Sequence, residues 1–515
     1  MQILAGRSSG PRLPRPDGYP YLLTFVDGGR GNAANAYALF QKFHARATIP
    51  AVAVQLRGVE ILGRVVGRIR VNSLYFVPRF FVCLQGTNLR DGATCMRLKM
   101  AQDKNPRRAQ PGWPPAVVLG AYYTGVNLVR YLVRRGVTAY CIDNDRKRQG
   151  FRSVYGKTLE CPDPDSRPAH WLEFMLELAR KLGDKPVLIP SADAFVSAMS
   201  KHADELGGAY LFCRDAVGLQ GLLATKERQY DLAVEHGMPV PRTKFVKSRE
   251  EVMDFGLGVQ FPCVLKPVRP RDWSKVPRGH PLDSRKVVLV TSPDELEAKY
   301  LMVAKVNPEI VVQEEIEGPD TAKLVYLSCY STDRRRIARC MVRELRTAPI
   351  HFGNASIVEP VADPETDSLC DRFLTRMGYA GLCEIELKRD SRDGSVKMIE
   401  ANPRYTGTSD VAPYAGVDLG WLHYLDLIGQ RVEMVDQEDR KFRHIVLTWD
   451  FSTIGSYRRE GLLTWWDIIR SYRPPVAFFD LDLRNWRVAA GTLISLIYLI
   501  IGRPIRRFFS KRRAY

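Results

Sequence analysis

No Cys-x-x-Cys pair and no His-rich segment occur anywhere in the 515 residues, so the usual spacing of a zinc site is missing. The ten cysteines are scattered instead, which reads as buried, inert thiols in a reducing cytoplasm. Also absent is a long apolar run behind a short basic start, the arrangement expected of a cleavable signal peptide. The longest apolar run, 488–502, has 15 residues and falls short of the roughly 20 that span a bilayer core. Acidic residues are scarce at the start: residues 1–112 hold 17 Lys and Arg against 5 Asp and Glu. Twelve of the 19 net positive charges therefore lie there, and the middle of the chain is much closer to neutral. Whole-chain basicity is thus no sign of nucleic-acid binding, and no nucleic-acid partner is expected.

What is present suggests about three domains, since a chain this long exceeds a single hydrophobic core. Residues 1–112 show weak periodicity and read as a basic extension, either disordered or the product of a start site placed too early, with Met96 or Met100 as the true start. From residue 113 to 212 the order is α/β. Strands at 116–119, 138–143 and 186–190 alternate with helices at 126–135 and 194–206, which predicts a small parallel sheet. Gly120-x4-Gly125 lacks the third glycine of a dinucleotide fingerprint, and Asp143 can equally cap a loop. Past the Pro239–Pro241 linker signal, a second α/β portion completes a region spanning 213–430. Its strand at 261–267 delivers Lys266 at the end of an apolar run, where an unpaired ammonium is costly and an anionic partner is expected. The polar, basic stretch 268–285 can be a flap over phosphates or a solvated loop. The strand at 309–318 turns acidic at its exit.

The most informative stretch lies at 380–410. Two strand-like runs, 382–388 and 396–401, flank the turn signal Asp393-Gly394 and can pair as a hairpin. Alternation puts Glu384 and Glu386 on one face of the first run, with Met398, Glu400 and Asn402 of one parity on the second. Glu386, Glu400 and Asn402 can then converge as oxygen ligands of a kind that suits Mg²⁺, with Arg404 just beyond. A solvated hairpin that happens to carry acids is the alternative, although packing alone does not want charge at the end of an apolar strand.

The ordered motifs, Lys226, Pro262-x-Val-Leu-Lys266-Pro, Val311-Val-Gln-Glu-Glu-Ile-Glu-Gly318, Ile385-Glu386-Leu-Lys and Ile399-Glu400-Ala-Asn402-Pro-Arg404, resemble the ATP-grasp superfamily over about residues 115–430. The type is that of the carboxylate-amine ligases. The resemblance implies an α/β and α+β fold, a small parallel-sheet domain followed by a two-part grasp. It further implies ATP as cofactor with Mg²⁺ or Mn²⁺, and small-molecule carboxylate and amine substrates joined through an acyl phosphate. By that resemblance Lys226 and Lys266 touch ATP phosphates, Glu314 and Ile316 meet the adenine, and Asp320 meets the ribose. Glu386, Glu400 and Asn402 are the metal ligands, Arg404 steadies the transferred phosphate and Arg343 adds a second positive contact. The long basic stretch after Lys266 departs from the compact Gly/Ser loop of peptide-type ligases. Gly353-Asn-Ala-Ser and Thr406-Gly-Thr-Ser-Asp410 either line the acceptor pocket or are plain turns. A kinase-like or carboxylase-like phosphoryl transfer, or a non-catalytic ATP-binding protein at the membrane, are the competing readings.

Residues 431–515 change character again. The run at 486–502 carries Trp486 and Tyr498, aromatics suited to an interface, and is followed by a strongly basic end. A single crossing would conflict with keeping both that end and the ATP chemistry in the cytoplasm. The segment is therefore read as an anchor lying on the inner membrane face, or else as a core helix packed on the grasp.

Overall fold

Short buried runs and alternating strands assemble into four sheets among the described residues of the computed structural model. These are residues 113–502, apart from 269–272, 274, 275, 278, 279 and 284, together with strands Leu22–Phe25, Ala51–Leu56 and Val59–Arg64. Those three strands belong to a separate unit, Met1–Ala101, where the first pairs parallel with the second and the second antiparallel with the third. The expected disorder or late start otherwise falls outside the described residues.

The predicted parallel sheet is present. Its strands run in the order Lys157–Glu160, Ala139–Asp143, Ala116–Leu119, Val187–Pro190, all parallel. Residues of one parity, Val117, Leu119, Ile142 and Leu188, meet Trp171, Met175 and Phe195 of the covering helices. Those of the other, Ala116, Val118, Cys141 and Ile189, share a second core with Val325, Leu327 and Val342 of a different sheet. The expected 194–206 helix is two, Asp193–Lys201 and Ala203–Ala209, broken at His202. Gly120 and Gly125 have a packing role: Gly120 sits at φ +116°, and a Cβ on Gly125 would lie 1.8 Å from the Gly120 carbonyl oxygen. Only glycine lets the Tyr123–Arg134 helix start so close to the strand.

The region 213–430 builds two further sheets, the smaller antiparallel and the larger mostly so. The smaller runs Val288–Val290, Cys263–Pro267, Ile310–Glu314, Thr243–Val246 and packs one face on the helices Arg249–Leu257 and Pro293–Ala304. The larger, eight-stranded sheet is built on Val396–Asn402, Gly381–Arg389, Lys323–Tyr330, Arg336–Ala348 and Asn354–Pro360. It continues past residue 430 into Arg443–Ile445 and Val476–Phe478, while Val435–Asp436 pairs alongside Arg336–Ala348. The C-terminal region thus extends the larger sheet before it reaches the helix Trp486–Ile497. Eight cysteines, from Cys141 to Cys383, are free and buried, as expected.

Candidate active site

Strand alternation aims one face of each antiparallel sheet at a shared cleft. In the smaller sheet Cys263, Leu265, Ile310 and Val312 enter its core, which leaves Val264, Lys266 and Gln313 on the cleft side. Lys266 Nζ donates to Gln313 Oε1 at 2.6 Å, and Gln313 Nε2 in turn donates to Thr243 Oγ1 at 2.8 Å, so the lysine is held by an oriented amide. Lys226 opens the helix Lys226–Glu235. That helix is pinned to the hairpin, where Tyr230 Oη donates to the Ile399 carbonyl at 2.6 Å and Gln229 Oε1 accepts from the Ala401 amide at 2.8 Å.

From the larger sheet come Lys323, Glu386, Lys388, Ile399 and Glu400. The hairpin is as expected in pairing but carries a bulge that alternation did not foresee. Glu386 pairs with Glu400 and Glu384 with Asn402, whereas Leu387 pairs with Met398, leaving Ile399 as an extra residue. Met398 therefore sits in the core with Leu387 and does not share a face with Glu400, correcting the parity expected from sequence. The cleft has a cavity volume of about 170 Å³, and Glu314, Ile316, Gly353 and Asn354 also line it.

Five lysines and several carboxylates thus share one partly closed space, and both signs are held against solvent's preference. Burial, reinforced by Lys226, lowers Lys266 to about 8, although Glu400 and Glu386 oppose the shift. Burial likewise lowers Lys286 and Lys388. Glu386 is pushed well above the carboxylate range by burial and by Glu384, Glu400 and Glu344, and Glu344 is pushed up to about 7 by burial, against the pull of Lys323. Such a site gains from a polyanion beside its lysines and a cation beside its acids. Among the described residues no group of three or more His, Cys, Asp or Glu is placed to hold a metal ion.

The structure brings Lys226, Lys266, Glu314, Ile316, Glu386 and Glu400 together in the cleft. It does not bring Arg343 there. The same alternation that sends Val342 into the core beneath the parallel sheet turns Arg343 to the opposite side, where it ion-pairs with Glu359. Its neighbour Glu344 holds the cleft side, 3.7 Å from Lys323. Asp320 stands behind the cleft wall, 4.0 Å from Lys323 and 3.5 Å from the His351 ring, where it accepts from Tyr457 Oη. Asn402 and Arg404 lie at the end of the hairpin. Asn402 Nδ2 donates to Glu384 Oε1 at 3.1 Å, while Asn402 Oδ1 accepts from Arg404 Nη2 at 3.0 Å, and Arg404 also pairs with Asp193. Of the two loops, Gly353 and Asn354 reach the cleft, where Asn354 accepts from Lys286. Asp410 is buried between Arg130 and His444, each 3.1 Å away, and serves packing. In the 268–285 stretch, Trp273 and Leu282 are fixed in the core of the smaller sheet, and its remaining flap character falls partly outside the described residues.

Lys286, Lys323, Gln313 and Glu344 belong to the site and were not singled out from sequence. A parity argument would have found three of them: each is a polar residue in a strand whose alternate neighbours are core apolar residues.

No family model matches the chain. It is 26% identical over 272 residues to a D-aspartate ligase of Enterococcus faecium, a match covering 50% of this chain and 63% of that protein. It is 23% identical over 255 residues to the carbamoyl phosphate synthase large chain of Clavibacter michiganensis, covering 47% of this chain and 21% of the other. Among solved structures, an ADP complex of N5-carboxyaminoimidazole ribonucleotide synthetase superposes with a TM-score of 0.49 at 13% identity, over 64% of this chain and 81% of that one. The likeness in sequence to the first two agrees with the ordered motifs: the chain resembles the ATP-grasp superfamily, carboxylate-amine ligase type.

Proposed function

We propose that this protein is an ATP- and Mg²⁺-dependent ligase that activates a carboxylate as an acyl phosphate and joins it to an amine. The observation that carries this reading is the single cleft in which Lys226, Lys266, Lys286 and Lys323 face Glu386 and Glu400. A triphosphate needs cations that outcompete water, and these lysines are compact point charges already partly stripped of it. Glu314 and Ile316, at the exit of the Ile310–Glu314 strand, would take the base.

Glu386 and Glu400 fit a divalent cation by their chemistry: they pair across the hairpin, and the protonation pressure on Glu386 is that of carboxylates crowded without one. Asn402 would join them only on releasing Arg404 or Glu384. Such an ion, Mg²⁺ or Mn²⁺, would neutralise phosphate charge and so ease attack by the carboxylate. The lysines would hold the nucleotide in place, and Arg404, freed from Asp193, would meet the transferred phosphoryl group. The closed cleft would keep water from the acyl phosphate before the amine arrives.

The likeness to D-aspartate ligase makes D-aspartate the first carboxylate to offer. The test is ADP release with candidate acid and amine pairs, coupled to mass analysis of products and to hydroxylamine trapping of an acyl phosphate. Amide formed in step with ADP is the expected result. A stable phosphorylated product would favour phosphoryl transfer, carboxylated product a carboxylase, and nucleotide binding without ADP release a non-catalytic role.

We also place the protein at the cytoplasmic face of a membrane, held peripherally. Among the described residues no helix is long and apolar enough to cross, and apolar side chains of the C-terminal helix stand exposed.

A further inference from the structure

The Trp486–Ile497 helix is apolar on two sides. Val488, Ala489 and Thr492 are buried against the fold, whereas Trp486, Leu493, Ile494 and Ile497 are 44–67% exposed. These four lie at i, i+7, i+8 and i+11, one stripe of the helix surface. A second exposed patch stands on the short helix Trp465–Ser471, where Trp465, Trp466 and Ile469 are each at least half exposed. The helix Leu447–Arg459 connects the two patches. It packs against Trp486–Ile497, and its Arg458 lies 4.0 Å over the Trp465 ring. The same pairing recurs: Arg473 and Arg470 lie 4.9 and 5.6 Å from the Trp466 ring, and Arg487 lies 5.3 Å from that of Trp486. None of these four arginines forms an ion pair with a described carboxylate. Beyond the helix, residues 503–515 add six Lys and Arg and no acid.

We propose that the two helices form one docking face for an anionic lipid bilayer. The tryptophans and isoleucines enter the boundary between headgroups and acyl chains, and the arginines stacked on the rings meet lipid phosphates. Charge decides the occupant. Four guanidinium groups in no ion pair among the described residues complement an anionic surface, even with Asp467 on the helix of Arg470, whereas a second copy of this chain would set like charges against each other. The proposal deepens the membrane placement above and rests on it, independently of the chemistry in the cleft.

Co-sedimentation of the full chain with phosphatidylcholine vesicles, with and without phosphatidylglycerol and at low and high salt, tests it. Binding is expected only with phosphatidylglycerol and to weaken with salt. Substituting both arginines in R470Q/R473Q should lower the partition coefficient about 25-fold, at roughly fivefold per arginine. Removing the rings in W465S/W466S should lower it about tenfold or more. All four side chains are solvent-facing, so unchanged circular dichroism melting is expected and controls for folding. Wild-type protein that binds neither vesicle overturns the membrane placement as a whole. Binding that both variants retain leaves that placement standing and overturns this docking face. A dimer by light scattering that W465S/W466S dissociates, with no vesicle binding, makes a second copy the occupant and also overturns it.

Discussion

Nucleotide binding should take up a proton above about pH 8, and Lys266 is the reason. In the cleft its ammonium is lowered to about 8 from the ordinary 10.5, because burial strips it of water and Lys226 repels it. Below pH 8 the group is charged both folded and unfolded, and the folded state bears the full cost, about 3 kcal/mol at roughly 1.4 kcal/mol per pH unit. As pH rises through 8 towards 10.5 the folded protein sheds the proton first, and that cost disappears. A triphosphate reverses the balance, since its charge holds the ammonium form. Above pH 8 binding must therefore recruit a proton, and affinity should fall about tenfold per pH unit from this group alone. Isothermal titration calorimetry in buffers of differing ionisation enthalpy counts that proton directly. Uptake approaching one proton is expected near pH 9, with almost none near pH 7. Lys266→Met should weaken binding by roughly 10- to 100-fold, the worth of a charged hydrogen bond, and should diminish the uptake. Equal uptake in the variant, or none in the wild type, would refute the assignment of Lys266 to the phosphates.

Three other perturbations follow from the geometry. Glu400→Gln should lower turnover at least about a hundredfold while nucleotide binding without divalent cation persists, as steady-state kinetics and metal-free calorimetry would reveal. Gly125→Ala should destabilise the chain by about 3 kcal/mol or more in urea titrations, because its Cβ meets backbone, which cannot step aside as a side chain can. Arg346→Met should cost about 3–5 kcal/mol by leaving Asp450 buried without the guanidinium that donates to both its oxygens, at 2.8 and 2.9 Å. Combining it with Asp450→Asn should cost less than the sum of the two single changes.

The sequence made three strands of the parallel sheet legible because they are short apolar runs, whereas the polar strand Lys157–Glu160 escaped it, and the hairpin was legible because Asp393-Gly394 marks its turn. It could not reveal the bulge at Ile399: a single unpaired residue leaves composition untouched and shifts only the register. Arg343 was misplaced for a related reason. The resemblance implied a contact near the transferred phosphate, while the alternation of its own strand assigns the cleft side to Glu344. Lys323 escaped notice because it is a lone polar residue opening an apolar strand, and Gln313 because it stands beside Glu314 and Glu315, at a strand exit where charge is also common for solvation. Asp410 ends a short Thr-Gly-Thr-Ser stretch that could be a pocket loop or a plain turn, and only tertiary packing shows Arg130 and His444 closing on it.

The distribution of the cores has a mechanical consequence. Residues of the parallel sheet and of the large antiparallel sheet are knitted into one hydrophobic cluster, whereas the smaller sheet, its two helices, Trp273 and Leu282 keep a cluster of their own. The chain enters and leaves that lobe at two pinned places: the Met398 amide donates to the Pro239 carbonyl, and Ser391 and Arg392 donate to the carbonyls of Glu317 and Glu315. A lobe with a core of its own can swing about those two attachments as a solid piece, uncovering cleft-side apolar residues such as Val264 and Ile316 while that core stays intact. The energy of its swing is then set by what spans the cleft, such as the contact from Lys286 to Asn354. Whatever fills the gap between the two sheets governs how tightly the jaw shuts.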